Sequence, residues 1–415
     1  MVRFLHVADL HIGLRRYKNE ERTDDFFLAL KDVFEKYAIK EKVNFVLIAG
    51  DFFDVRKVEP TAMNHAITCL KILQDAKIPV IAIEGNHDSR EMSSNVSWLR
   101  SLSQWGYIKL LEPAYTEDGA KLLPWSEENK TGSYIDIGKV RIYGTIWFGS
   151  TVSTALTGML DMIRDVHDPK KFNILMLHTD VEGVMHHSIK GLSIEKMREL
   201  KSHIDYLALG HIHKNFVIDN WAYMPGSLEA CSVDQYAEVR GAYLVEIKGK
   251  KHMATLVRDY YQRPIIRLSF AVEETDTPEE FSSKLFEFLS CHLKPSNKPI
   301  GEELLPIVEL TVTGTLGFKT NLLNLNKVRD KIKKDFHCLL VLLKNQTKPV
   351  DFGSEVEHNA SRSDIEKKVL TDLIAKDVRF KNNAEKLSDV IMEAKRLVLS
   401  GELPEKIAQM IEKNT

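Results

Sequence analysis

The 415-residue sequence is poor in the features that would take a protein out of the ordinary soluble class. It has only four cysteines, Cys69, Cys231, Cys291 and Cys338, widely spaced and with no CxxC pair. That excludes a zinc ribbon and a disulfide framework, and it fits a reducing cytoplasm. No apolar run approaches the roughly 18 residues of a membrane span, so no membrane association is expected. The short apolar stretch at the N-terminus runs straight into Asp9, so no signal peptide is expected either. Internal repeats and low-complexity tracts are absent. A dominant charge is missing too, the formal net charge being −2. If the chain handles nucleic acid, the positive surface must be local or come from a partner.

What is present is a recurrent arrangement of apolar runs that end in metal-ligand residues. The run Val43 to Ala49 (VNFVLIA) reads as a strand buried on both faces, the state of an inner strand in a sheet covered by helices. It stops at Gly50 and Asp51, which sets a carboxylate at the mouth of a sheet, where α/β proteins form ligand crevices. Burying Asp51 unpaired would cost several kcal/mol, on the order of what the strand gains, so a cation is expected beside it. Four other runs end the same way. Arg3 to Ala8 delivers Asp9 and His11. Ile78 to Ile83 delivers Asn86, His87 and Asp88. Asn173 to Leu177 delivers His178, and Ile204 to Leu209 delivers His211 and His213. Asp, Asn and His together suit Mn, Fe, Zn or Mg. Each fragment alone is weak, and Gly50-Asp51 or His87 by itself would pass for a turn or a loop histidine. Their joint occurrence in order is specific.

Along the chain, strand-like and helical runs alternate up to about residue 262, the pattern of an α/β domain. Phe26 to Ile39 and Thr61 to Ala76 are the clearest helices. After Arg263-Pro264 a β-α-β-α-β run of about 80 residues follows, large enough for a small separate domain. The boundaries read as 1–262, 263–344, a polar linker over 345–362, and a helical tail over 363–415. In the tail, Ser363 and Glu366 form a capping-box signature, and a longer apolar stripe runs through Leu387, Ile391, Ala394 and Val398.

The ordered set DxH, GDxxD, GNHD, a lone His and GHxH resembles the signature of calcineurin-like metallophosphoesterases. More closely, through Ala208–Lys214, Pro225–Glu229, the small second domain and the tail, the chain resembles the SbcD family of DNA-repair nucleases. The resemblance implies a two-sheet α/β sandwich with a small α+β capping domain that binds DNA and a C-terminal helical tail that binds an ATPase. It implies a Mn-dependent 3′→5′ exonuclease and single-strand endonuclease. It also implies two divalent metal ions, taken to be Mn²⁺, an SMC-like SbcC-type ATPase partner, and a homodimer within a heterotetramer. Carried over by position, Asp9, His11, Asp51 and His213 hold one metal, and Asp51, Asn86, His178 and His211 the other. His87 protonates the leaving oxygen or stabilises the phosphoryl group, and Asp88 orients His87. Asp54 stands where some members carry a histidine, and a supporting role is expected of it.

The same motifs serve phosphatases and cyclic-nucleotide phosphodiesterases acting on small phosphoesters, and fold and metals do not fix the substrate. A non-catalytic scaffold is a further alternative, against which the full ligand set argues. Arg15 and Arg16, with Lys18 and Arg22, could grip phosphates, though interleaved acids make an ordinary charged surface equally good. Arg56, Lys57, Arg90 and Lys214 lie within a few residues of a ligand and are better phosphate contacts. His6 reads as a core residue with one hydrogen bond, and His186 and His187 as a solvated loop.

Overall fold

The run that ends at Asp51 is a strand, Phe45–Ala49, in which all five residues are buried. Its faces are buried for different reasons. Val46 and Ile48 pack with Phe26, Leu30, Leu70 and Leu73 beneath helices Glu20–Val33 and Pro60–Asp75. Phe45, Leu47 and Ala49 pack with Ile142, Ile174, Met176 and Tyr206 of a second sheet. Burying Phe45, Val46, Leu47 and Ile48 contributes roughly 6–12 kcal/mol before ordering costs. The unbroken apolar run is thus the signature of an inner strand between a helix layer and another sheet.

The computed structural model describes residues 1–90, 94, 96–117, 119–184, 191–273, 276–293, 304–318, 322–348, 361–375 and 379–414. His186 and His187, and residues 349–360 of the expected linker, lie outside these. The chain divides into two compact units. The first is Met1–Arg267 with Ser296–Glu309 and His337–Leu342; the second is Leu268–Pro295, Leu310–Phe336 and Leu343–Thr415.

In the first unit, one six-stranded sheet runs Lys251–Val257, Ala242–Lys248, Val2–Val7, Phe45–Ala49, Val80–Ile83, Lys109–Leu110. The other runs Phe216–Ile218, Ala222–Met224, Tyr206–Gly210, Phe172–His178, Val140–Tyr143, Tyr134–Ile137. The two face each other across a shared apolar layer, and helix Val152–Val166 covers the outer face of the second. This is the expected α/β two-sheet sandwich. The three central strands of the first sheet are parallel, with Val7 beside Ile48 and Ile48 beside Ala82. In the second, Gly210 lies beside His178 on parallel strands. Parallel register brings the carboxyl ends of each set to one edge, where the apolar runs deliver their polar residues.

His6 is fully buried between the sheets with two partners instead of the single one expected: Tyr206 Oη at 3.0 Å and the Leu209 carbonyl at 3.1 Å. Burial lowers its pKa to about 3. It is a neutral core residue.

Strands Ile265–Val272, Ile307–Gly314 and Leu340–Asn345 form a three-stranded sheet in that order. With helices Pro278–His292 and Leu325–Asp335 between them they give the β-α-β-α-β order read from the sequence. Three helices end the chain, Arg362–Ala375, Ala384–Leu399 and Pro404–Asn414. The capping interaction of the first uses Ser361 and Asp364, not Ser363 and Glu366. The Ser361 N–H donates to Asp364 Oδ2 (3.1 Å), and the Asp364 N–H donates to Ser361 Oγ (3.3 Å). Both pairs have the same S-x-x-acid spacing, and the helix begins at the earlier one. The first two tail helices pair through a Thr371–Ser388 hydroxyl contact (2.7 Å) and a Lys367–Asp389 ion pair (2.5 Å). Ile391 and Val398 of the expected stripe stay exposed, at 44% and 61%.

A buried ionic knot ties the first unit together. Asp25, fully buried, accepts from Arg22 Nη1 (2.6 Å), Tyr261 Oη (2.7 Å), and Arg263 Nε and Nη2 (both 2.7 Å). Burial would raise its carboxyl pKa, but these donors hold it below the ordinary value. Asp25→Ala would leave two guanidinium groups buried without their shared acceptor. The expected loss is about 3–5 kcal/mol of stability, read as a lowered urea midpoint with an unchanged slope.

Candidate metal centre

His178 is the last residue of its strand; the other expected ligands stand on loops just past strand ends, several of them with sharply bent backbone. Asp9, His11, Asp51 and His211 all have positive φ, at 54°, 44°, 52° and 103°. A non-glycine residue in that region costs on the order of 1–3 kcal/mol, and persists where its surroundings over-determine it. Here they do. The Asp9 N–H donates to the Gly50 carbonyl (3.1 Å), and the N–H groups of Leu10 and His11 both donate to the Asp51 carbonyl (2.8 and 3.1 Å). Gly50 itself (φ +89°) leaves no room for a Cβ, which would strike the His178 ring. Across the sandwich, the His211 N–H donates to both oxygens of Asp9 (2.9 and 3.0 Å), and His178 Nδ1 donates to the Ala49 carbonyl (2.8 Å).

These bonds bring all seven expected ligands together. Asp9, His11 and Asp51 form one group and Asp51, His178 and His211 another, ligand atoms in each lying within 4.8 Å of one another. Asp51 belongs to both. Asn86 Oδ1 lies 3.1 Å from His178 Nε2 and 3.0 Å from His211 Nδ1. His213 Nε2 lies 3.0 Å from His11 Nε2.

Lone pairs converge here with too few protons to satisfy them. Asp51 Oδ2 is buried without a hydrogen bond, 3.3 Å from His178 Nε2 and 4.0 Å from His11 Nε2. Burial would lower the His178 pKa, yet the Asp51 and Asp9 carboxylates raise it to about 9. Burial would raise that of Asp51, yet His178 holds it well below the carboxylate range. Asp9 is pushed up, to about 6, mainly by burial. His213 is pushed down, to about 3, by burial and by His11. A shared proton is a poor substitute for a cation among such groups, and oxygen and imidazole donors around an orphaned carboxylate oxygen fit divalent metals.

His87 sits beside this cluster, its ring 4.9 Å from that of His11. Its N–H donates to Asp51 Oδ1 (2.9 Å) and its Nδ1 donates to the Asp54 carbonyl. Asp88 is engaged elsewhere than expected. Its carboxylate accepts from the N–H groups of Phe52 (3.0 Å), Phe53 (2.9 Å) and Gly85 (3.1 Å), so it staples two ligand-bearing loops together while Asp54 orients His87. Burial, with Asp51 adding, raises the Asp88 pKa to about 6. Asp54 Oδ1 also lies 3.3 Å from His11 Nδ1.

Besides Cys231, which groups with His11 and His213, sequence reasoning missed three neighbours. Trp147 sets its ring 4.8 Å from that of His211 and 5.5 Å from that of His178. Asp180 Oδ1 lies 3.3 Å from His211 Nε2, and Gln235 Nε2 lies 2.9 Å from His213 Nδ1. Asp180, two residues past His178, could have been suspected from its position; the other two carry no local signal. Of the basic residues, Arg56 reaches the Asn86 carbonyl (3.4 Å). Arg15 is paired with Glu59 and, with Lys57 and Asp54, lines a cavity of about 480 Å³. Arg90 and Trp147 line another, of about 790 Å³. Arg16 is exposed and Lys214 half-buried.

Comparison with known proteins gives the same answer at the level of family. The calcineurin-like phosphoesterase profile matches residues 2–215, just over half the chain. The chain belongs to the calcineurin-like phosphoesterase family. Among similar proteins, a DNA double-strand break repair protein Mre11 from Aeropyrum pernix is 28% identical over 258 residues, 60% of this chain and 59% of that protein. One from Sulfolobus acidocaldarius is 23% identical over 346 residues, 80% of this chain and 81% of that protein. An SbcCD nuclease subunit from Staphylococcus epidermidis is 24% identical over 262 residues, 60% of this chain and 67% of that protein. The chain thus spans about three fifths of the length of the first of these. The SbcD resemblance read from the motifs agrees with these likenesses. Among the described residues no helix is long and apolar enough to cross a membrane.

A carboxylate shared by two ligand groups has a measurable consequence. Asp51→Ala should lower bound divalent metal from two equivalents to fewer than one, whereas Asp9→Ala should lose chiefly one. Elemental analysis after gel filtration decides it, and equal single losses would reject the sharing.

Proposed function

We propose that this protein is a Mn-dependent DNA nuclease, with 3′→5′ exonuclease and single-strand endonuclease activity, working in double-strand-break repair with an SMC-like SbcC-type ATPase. The observation that carries the reading is Asp51, whose carboxylate stands between two ligand groups assembled from the ends of five strands. Asp9, His11 and His213 would complete one metal position, and Asn86, His178 and His211 the other. Two divalent ions held by these groups would supply charge stabilisation at the phosphate and an activated water.

The chain's own residues do the rest. The Asp54 carbonyl accepts a hydrogen bond from His87 Nδ1–H and so aims Nε2 at the substrate. With the ring carrying both protons, Nε2–H gives its proton to the leaving 3′ oxygen, and the ring is left neutral with Nδ1–H still on the Asp54 carbonyl. Asp88 holds the Asp51 and Asn86 loops at fixed separation through three backbone N–H groups. Arg56, Lys57, Arg90 and Lys214 are the phosphate contacts we assign, with Arg15 and Arg16 further out. Residues 1–262 would form the nuclease domain, 263–344 the DNA-binding cap and 363–415 the ATPase-binding tail. A cytoplasmic location follows from that role, and a dimer within a heterotetramer from the resemblance.

His87→Asn should reduce Mn²⁺-dependent cleavage of labelled single- and double-stranded DNA on the order of 10²-fold or more, with both metals retained. Unaltered cleavage would reject the role of His87, and a wild-type chain inert toward DNA would reject the nuclease. The tail supplies a second test. An amphipathic helix gains most of its stability from packing, and exposed Ile391 and Val398 are anchors for a partner helix. The double variant Ile391→Glu, Val398→Glu should abolish co-purification with the ATPase while cleavage of short single strands persists. Continued binding would rule out the tail as the docking arm.

A further inference from the structure

Cys231 is a buried thiol outside any disulfide. The fold sets its Sγ within 4.8 Å of a ring nitrogen of both His11 and His213, which are themselves 3.0 Å apart through their Nε2 atoms. The thiol is held there. The Cys231 N–H donates to Gln235 Oε1 (2.9 Å), and Nε2 of the same amide lies 2.9 Å from His213 Nδ1. One side chain therefore fixes the cysteine backbone and the imidazole relative to each other. On the other side, the Ala230 carbonyl accepts from the buried Arg22 guanidinium, which anchors the preceding residue.

The chemistry of this triad differs from that of the rest of the centre. Asp9 and Asp51, which share the position of His11, are hard oxygen donors suited to Mn²⁺ or Mg²⁺, and among the described residues no cysteine joins the group Asp51, His178 and His211. Two imidazoles and a thiol are the donor set of zinc sites, which take Cys and His in tetrahedral geometry and keep a position open where they are catalytic. We propose that His11, His213 and Cys231 form a thiolate-containing site for a borderline-soft divalent cation of the zinc class, so that the two metal positions prefer different ions. The inference rests on the reading of His11 and His213 as ligands. Binding breaks the S–H bond, releases its proton to solvent and forms a metal–sulfur bond, with no change in oxidation state. Mn²⁺ gains little from sulfur, so the thiol stays protonated beside it, whereas Zn²⁺ recruits it.

Co²⁺, a spectroscopic stand-in for Zn²⁺, tests this on the metal-free full-length chain. A sulfur-to-cobalt charge-transfer band in the near ultraviolet is expected, alongside visible d–d bands. Cys231→Ser should abolish the charge-transfer band, keep the d–d bands, and weaken Zn²⁺ binding by at least the roughly 10–100-fold that loss of an outer-shell partner costs. Cys291→Ser, which removes the exposed thiol, should leave the band intact. Absence of the band in the wild type, its loss in Cys291→Ser, or unchanged Zn²⁺ affinity in Cys231→Ser would overturn the proposal. If Cys231→Ser does not fold, the wild-type and Cys291→Ser spectra decide. None of these measurements uses DNA. A chain inert toward DNA that shows the band would reject the nuclease alone, and an active nuclease without the band would reject the thiolate site alone.

Discussion

One buried carboxylate governs the architecture of the site. Asp51 follows directly on a strand with no solvent face, so its charge must be met inside the protein. Its Oδ1 accepts the His87 N–H and its carbonyl accepts two N–H groups from the Asp9–His11 loop, while Oδ2 has no hydrogen bond at all. The side-chain oxygen left without a hydrogen bond is the one that faces the imidazoles of His178 and His11. Burying an anion so incompletely is sustainable only where a cation completes the set.

The loops around Asp51 show how such a site is kept rigid. Four of the proposed ligand residues adopt left-handed backbone conformations, each a local cost, and the loops are cross-braced by main-chain bonds and by the three N–H groups that converge on Asp88. The strain lies in the segments that must project polar groups from adjacent strands toward one point. Pre-set geometry of this kind reduces reorganisation when metals and phosphate arrive. Asp54 acts on two partners, orienting His87 through its carbonyl and meeting His11 through its carboxylate, which connects the proposed metal ligands to the proposed proton donor.

Farther from the site, the same logic of buried charge recurs with the opposite outcome. Asp25 is met entirely by protein donors, two arginines and a tyrosine, and has no acceptor left for a metal. The two carboxylates have similar burial and different fates because one is surrounded by guanidinium groups and the other by imidazoles and oxygens.

The motifs at five strand ends were legible in the sequence because ligand type, order and apolar context are all local properties. The inner strands were legible for the same reason: Phe45–Ala49 has to be apolar on both faces. The sequence also determined the tail's helical character, though two equally spaced serine–acid pairs competed for its first capping interaction and only the backbone chose Ser361. Tertiary structure alone decided that Asp88 braces loops while Asp54 holds His87, since hydrogen-bond partners some 35 residues apart leave no periodic trace. It alone brought Trp147, Gln235 and Cys231 to the ligands, from loops separated from their neighbours by tens to hundreds of residues. Spacing along a chain reports which face of a strand or helix a residue occupies; which side chains meet across two sheets depends on how the loops between them close.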